Sequence, residues 1–215
     1  MKKYISKYAL AIVGIIFLIL FETTGYFLTK LIQGPPNIIK ELNIINLPLV
    51  PYFVYIYASW YLLLGIIPMH IYTKNKKVYY KYFTSALISI IILNIIFVIY
   101  PTTVPREEVL NTNLTTYLLN IIYYLDTPAV NCFPSAHCLM SCLFIISLID
   151  TKEINKQIKI FYIIISILIM LSTLFIKQHI FIDVISACII AIITYYITDK
   201  TNLYTKIYKL IEKSY

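Results

Sequence analysis

The sequence predicts an all-α, polytopic membrane protein with six transmembrane helices and a short interfacial helix in an outer loop, and three observations predict it. Of the 215 residues, 60% are hydrophobic and 13% charged, with a mean hydropathy of +0.80, whereas an ordinary soluble domain is about 45–50% apolar. The apolar residues gather into stretches near the roughly 20 residues that a helix needs to cross a bilayer. The basic residues fall almost entirely in alternate connections between those stretches.

Taken in order, the first stretch runs over 8–30. Lys2, Lys3 and Lys7 precede it as in a signal peptide, but "ETTGYFLTKLIQG" offers no small-residue cleavage site, so a retained helix is expected. The second and third run over 48–72 and 78–100. The fourth, 136–150, is short for a span, which places the preceding "PSAH" turn at membrane depth. The fifth and sixth cover 158–177 and 179–198. No repeat or low-complexity linker divides the chain, and residues 1–215 read as one domain.

Fourteen of the 18 basic residues lie on one set of connections: Lys2, Lys3, Lys7; Lys74, Lys76, Lys77, Lys81; Lys152, Lys156, Lys159; and Lys200, Lys206, Lys209, Lys213. Lys30, Lys40, Arg106 and Lys177 lie on the other. The positive-inside rule makes the first set cytoplasmic, with both termini inside. The net charge of +8 is thereby a matter of topology, and nucleic acid is not needed as a partner. The C-terminal "KTNLYTKIYKLIEKSY" has a basic and an apolar face and is expected on the inner leaflet surface. His70, beside Lys74–Lys77, reads as a cytoplasmic interfacial anchor.

Residues 101–135 are then outside. Leu114, Tyr117, Leu118, Ile121, Ile122 and Leu125 form an amphipathic stripe too short to span, which is expected to lie flat and roof what is below. Glu107, Glu108 and Asp126 read as solvated loop charges, and the "NLT" sequon at Asn113 as chance. Cys132, Cys138, Cys142 and Cys188 show neither CxxC nor Cys/His metal spacing and read as small packed hydrophobes.

Two histidines open spans on that same face, His137 in "PSAH" and His179 in "KQHIFID". Arg106, the only arginine, follows the third span, and Lys177 precedes His179 by two residues. Asp183 lies one helical turn beyond His179, where a carboxylate can accept the Nδ1–H and leave Nε2 as a lone-pair nucleophile. His137 has no neighbouring carboxylate and is free to act as an acid. Ser135 stands where the fourth helix must begin, as an N-cap beside backbone N–H groups that can hold an anion. Cations, a nucleophile and a proton donor are what a phosphate ester needs. No cluster has the ligand spacing of a metal site.

These residues resemble the type 2 phosphatidic acid phosphatase superfamily of integral membrane lipid phosphatases and phosphotransferases. "PSAH" (Pro134 to His137, within 131–138) matches that family's second motif, and "STLFIKQHIFID" (Ser172 to Asp183) matches the frame of its third, with Thr173 where an arginine usually stands. Of the first motif, within 99–107, only Arg106 survives, with Ile99 in the lysine position and Glu107 in that of the proline. The resemblance implies that His179 attacks phosphorus to give a phosphohistidine, that Asp183 supports it, and that His137 protonates the leaving oxygen. It also implies Arg106 and Ser135 as phosphate ligands, with Lys177 supplying a missing cation, and neither metal nor cofactor. A variant without the third-motif arginine is similar to the sphingolipid phosphotransferases of the superfamily.

The expected function is hydrolysis of a lipid phosphate or diphosphate monoester at the outer face. Transfer of a phospholipid head group to an alcohol on the same scaffold is the alternative. A small transporter using His179 and Asp183 as a relay fits less well, because the titrating groups gather at one mouth and not at the midplane. A non-catalytic family member is the reading in which Thr173 and Ile99 leave too little positive charge.

Overall fold

The computed structural model describes residues 2–38 and 47–212, with side chains from Tyr8 onward; Lys40 and Lys213 of the charge map lie outside the described residues. Those residues form eight helices: α1 (Lys2–Ile32), α2 (Phe53–Lys74), α3 (Lys76–Ile99), α4 (Leu114–Leu125), α5 (Ala136–Asp150), α6 (Lys156–Phe175), α7 (Phe181–Lys200) and α8 (Leu203–Glu212). Two short strands, β1 (Asn37–Ile38) and β2 (Thr102–Thr103), pair in parallel. The chain is an all-helical membrane protein.

The helix starts follow from polar residues that satisfy backbone N–H groups left open at an N-terminus. Asn75 accepts from Val78 N at 3.2 Å, Ser135 from Cys138 N at 3.3 Å and Asn155 from Gln157 N at 2.8 Å. Asn113 and Thr116 form a reciprocal capping box that opens α4.

Five helices are long and apolar enough to cross a membrane: α1 from Tyr8, α2, α3, α6 and α7. The expected span over 136–150 coincides with α5, but 15 residues make only about 22 Å of helix against a hydrocarbon core of about 30 Å. Immediately before α5 the chain is not helical, and Val130, Asn131, Cys132, Pro134 and Ser135 are nonetheless buried. Irregular backbone is tolerated at membrane depth only where protein or a cavity surrounds it. That segment is where the site forms.

α5 is the central helix, packed on α3, α6 and α7, with Leu139, Leu143, Phe144 and Leu148 fully buried. α1 closes against α3 through Gly25, where a Cβ would collide with the Asn94 amide. At the end opposite the site, Lys81 of α3 reaches Asp150 of α5 at 2.6 Å and Asp199 of α7 at 2.8 Å, and Tyr195 donates to Asp150 at 2.9 Å. His70 is half-buried at that end, 3.3 Å from the Tyr162 hydroxyl. α8 is tied to the bundle through Glu212, which accepts from Tyr72 at 3.0 Å and Tyr80 at 3.2 Å and pairs with Lys76.

α4 occupies the expected stretch, but the face it packs inward differs from the predicted stripe. Leu119 is fully buried against Val54, Tyr57 and Ile176, with Leu118, Ile122 and Tyr123 around it. Leu114, Tyr117, Ile121 and Leu125 stay exposed. Tyr123, which donates to the Ile176 carbonyl at 2.7 Å, sets the inward face.

Candidate active site

Two segments converge at one end of the bundle. The end of α6 turns at Lys177, whose φ of 55° places it in the left-handed region. Gln178 N and His179 N then both donate to the Thr173 carbonyl, at 2.9 and 3.1 Å, a helix terminus closed on a left-handed residue. This turn sends successive side chains opposite ways. Gln178 and His179 line a cavity of about 410 Å³, whereas Lys177 donates to the Leu47 carbonyl and pairs with Glu107 at 3.5 Å. The expectation that Lys177 supplies a cation beside His179 is corrected accordingly: adjacency in sequence across this turn puts the ammonium outside the cavity wall.

The second segment is 131–137. Asn131, also left-handed at φ 61°, donates to the Tyr26 carbonyl at 3.1 Å and to Thr29 Oγ1 at 2.9 Å. Phe133 N donates to Thr102 Oγ1 at 2.8 Å. So pinned by α1 and β2, the segment presents the Cys132 carbonyl to His179 Nδ1 at 2.8 Å, while Asp183 Oδ2 stands 3.3 Å from the same nitrogen. A carbonyl only accepts, so Nδ1 carries a hydrogen, and in the neutral ring the lone pair is then on Nε2. Asp183 is 1% exposed and its Oδ2 also accepts from Ile180 N at 2.9 Å, which caps α7.

His137, in the first turn of α5, lies on the Tyr57 ring with centroids 4.5 Å apart and on Trp60 at 4.1 Å. Its ring centroid is 6.3 Å from that of His179. Both histidines line the cavity. Ser135 is fully buried and its hydroxyl caps α5, so it holds the helix start in place without lining the cavity. Thr173, in the position of the usual arginine, is fully buried as well and donates to the Met170 carbonyl at 2.8 Å.

Arg106 donates to Gln178 Oε1 at 2.6 Å and to the Tyr123 carbonyl at 3.2 Å, pairs with Asp126, and lies over the Tyr123 ring at 4.8 Å. It is one contact removed from the cavity, behind Asp126 and Gln178, which line it. The reading of Asp126 as a solvated loop charge is overturned. Its side chain is 23% exposed and is also paired with Lys30 at 3.3 Å and hydrogen-bonded by Tyr26. The partners come from α1, a hundred residues away in sequence, where no local pattern could announce them. Glu107 and Glu108 are exposed, as expected.

Among the described residues, six buried polar atoms in and around the cavity have no protein partner: His137 Nε2, Trp60 Nε1, Arg106 Nε, Gln178 Nε2, Asn131 Oδ1 and Asp183 Oδ1. Four of the six are nitrogens that can donate, where buried donors ordinarily find acceptors. Among the described residues no three His, Cys, Asp or Glu side chains converge as metal ligands would. Burial pushes the Cys132 thiol up to about 12, with Asp183 nearby adding to it, so this cysteine is a neutral buried residue that does not line the cavity.

Sequence reasoning missed Gln178, the Cys132 carbonyl and the wall contributed by α1, namely Glu22, Thr23, Tyr26 and Phe27. Of these Glu22 carried a signal, as the one acidic residue in a 31-residue apolar helix.

Compared with known proteins, residues 46–197 match the family described as the PAP2 superfamily. No curated protein and no solved structure matches the chain.

Proposed function

The chain belongs to the PAP2 superfamily, that of the type 2 phosphatidic acid phosphatases, and from that membership we propose that it cleaves a lipid phosphate or diphosphate monoester through a phosphohistidine on His179. Membership supports a lipid phosphoesterase of the phosphatase or phosphotransferase type in general. The observation that carries the finer reading is the pairing of His179 Nδ1 with the Cys132 carbonyl at 2.8 Å, because in the neutral ring it puts the lone pair on Nε2, and His179 lines a cavity shared with His137.

In this mechanism Nε2 of His179 attacks phosphorus while the ester P–O bond breaks. Protonated His137 delivers its proton to the departing alkoxide, and the neutral His137 then takes a proton from water as that water attacks the phosphohistidine. Free phosphate leaves and His179 is regenerated. Ring centroids 6.3 Å apart fit one phosphoryl group between the two histidines, given near-attack contacts of about 3 Å on each side. The rings of Tyr57 and Trp60 pack on the His137 imidazole and fix its position beside the cavity. Asp183 is a positioning residue that steadies positive charge as it develops on His179.

A phosphate in the cavity would supply acceptors to the orphaned nitrogens of His137 and Gln178, with Arg106 behind Gln178. Ser135 contributes by capping the start of α5, which holds His137 in place. This chemistry asks nothing of a metal or cofactor. The reading places the six spans, α5 included, in the cell membrane with both termini cytoplasmic, the site facing outward and α4 at the outer interface, as the distribution of basic residues supports.

Transfer to an alcohol in place of water is the second reading. A cavity of about 410 Å³ with a wall of aromatic rings favours it, since that is the size and character of a site for a whole organic head group. Phosphate release from a panel of phosphatidic acid, phosphatidylglycerol phosphate and a polyprenyl diphosphate, with and without added alcohol, tests the proposal. Acceptor-independent release supports hydrolysis, acceptor-dependent product supports transfer, and no turnover of any phosphate ester contradicts both.

A further inference from the structure

The charges that line the cavity are of one sign. Glu22 and Asp126 contribute carboxyl groups to its wall, and among the described residues neither a lysine nor an arginine lines it. The two carboxylates differ in one respect. Asp126 is neutralised by Arg106 and Lys30, whereas Glu22 enters none of the ion pairs among the described residues.

Glu22 lies ten residues before the end of α1 at Ile32, about 15 Å down the helix, well inside the apolar span. A carboxylate at such depth is costly unless something compensates it, and an unpaired one facing a cavity marks a ligand. Around it in the same cavity stand Tyr26, Phe27, Tyr57, Trp60 and Tyr61. Aromatic faces with a carboxylate among them attract an organic cation, most strongly where water is excluded.

We propose that the α1 wall of the cavity is a subsite for an ammonium group, with Glu22 its counter-ion, so that the preferred ligand is a phosphate ester carrying an amine on its alcohol part. The inference rests on the reading that the phosphate lies at His179. It also assigns a purpose to a helix that precedes the matched family region, which begins at residue 46. Two sources offer this chemistry: a diester whose small head group bears the amine, and a monoester of a long-chain amino alcohol. They share the cation and the phosphate and differ in which side carries the lipid tail.

Equilibrium binding to the full-length His179→Ala protein in detergent tests the proposal without relying on turnover. The probes are hexadecyl 2-aminoethyl phosphate and 2-aminohexadecyl phosphate, each against its neutral N-acetyl analogue. At least one amine binds about tenfold or more tightly than its N-acetyl partner, and the pair that shows the preference identifies the source. Adding Glu22→Gln brings that ratio to within about twofold, while Glu22→Asp keeps part of it.

Equal affinity for amine and N-acetyl probes in both pairs overturns the proposal, as does a preference that survives Glu22→Gln. Because His179→Ala alone carries the first comparison, a Glu22→Gln protein that does not fold leaves the proposal testable. A wild-type protein that forms no phosphoenzyme yet keeps the amine preference would sink the catalytic reading and support this one.

Discussion

Ser135 and Asp183 are joined backbone to backbone, the Ser135 N–H donating to the Asp183 carbonyl at 3.2 Å. The start of α5 and the first turn of α7 therefore move as one piece, and with them His137 and His179. The separation of the two histidines is set by main-chain contacts, which side-chain substitutions at the site leave in place.

Asp183→Asn tests the sharing of His179 Nδ1 between two acceptors. The asparagine oxygen can still cap α7 by accepting from Ile180 N, and the Cys132 carbonyl still fixes the tautomer. What is lost is the negative charge, worth roughly 1.5–3 kcal/mol in a hydrogen bond to a charged group. The expected fall in kcat/KM is about 10–100-fold, measured on a lipid phosphate with the fold checked by melting temperature. A loss equal to that of His179→Ala would show that Asp183 does more than position.

His137→Ala removes the proton donor and not the nucleophile. Lipid phosphates, which leave as alkoxides, should lose about 10²–10⁴-fold in kcat, and an aryl phosphate with a stable leaving group should lose far less. Steady-state rates on the two substrate classes decide it. Equal losses on both would mean that His137 serves only to hold the cavity wall with Tyr57 and Trp60.

Much of this site was legible in the sequence because its signals are local. Ser135, His137, His179 and Asp183 sit at helix starts, where capping chemistry and i,i+4 spacing announce them, and the fourth apolar stretch was short enough to predict a turn at depth. What escaped was carried by contacts between distant segments. Asp126 looked like a loop charge because Lys30 and Arg106 reach it from α1 and from the segment after β2. Lys177 looked like a site cation because a left-handed residue, which reverses the direction of its neighbours, has no mark in the sequence when it is a lysine. The Cys132 carbonyl was invisible because backbone acceptors have no letter of their own.

Orientation can be read by labelling. Leu110 is 80% exposed in the segment before α4, and Leu110→Cys in intact cells should react with a membrane-impermeant thiol reagent. The unaltered protein supplies the blank, since the nearest native thiol, Cys132, is 3% exposed and held protonated by burial. Labelling that needs lysed cells would reverse the proposed topology.

Chelation separates histidine chemistry from metal-assisted hydrolysis. With no convergent set of three ligands among the described residues, phosphate release should be unchanged by EDTA. Loss of activity followed by recovery with Mg²⁺ would contradict the mechanism.

The most direct measurement follows the phosphoryl group itself. Rapid quenching of the wild-type protein with a ³²P-labelled aryl phosphate should leave acid-labile, base-stable label on the peptide containing His179, as an N–P bond requires. His137→Ala should hold more of it and His179→Ala none, with turnover lost by orders of magnitude on every leaving group. Label retained by the His179→Ala protein, or turnover without any covalent phosphoenzyme in the wild type, would contradict the account.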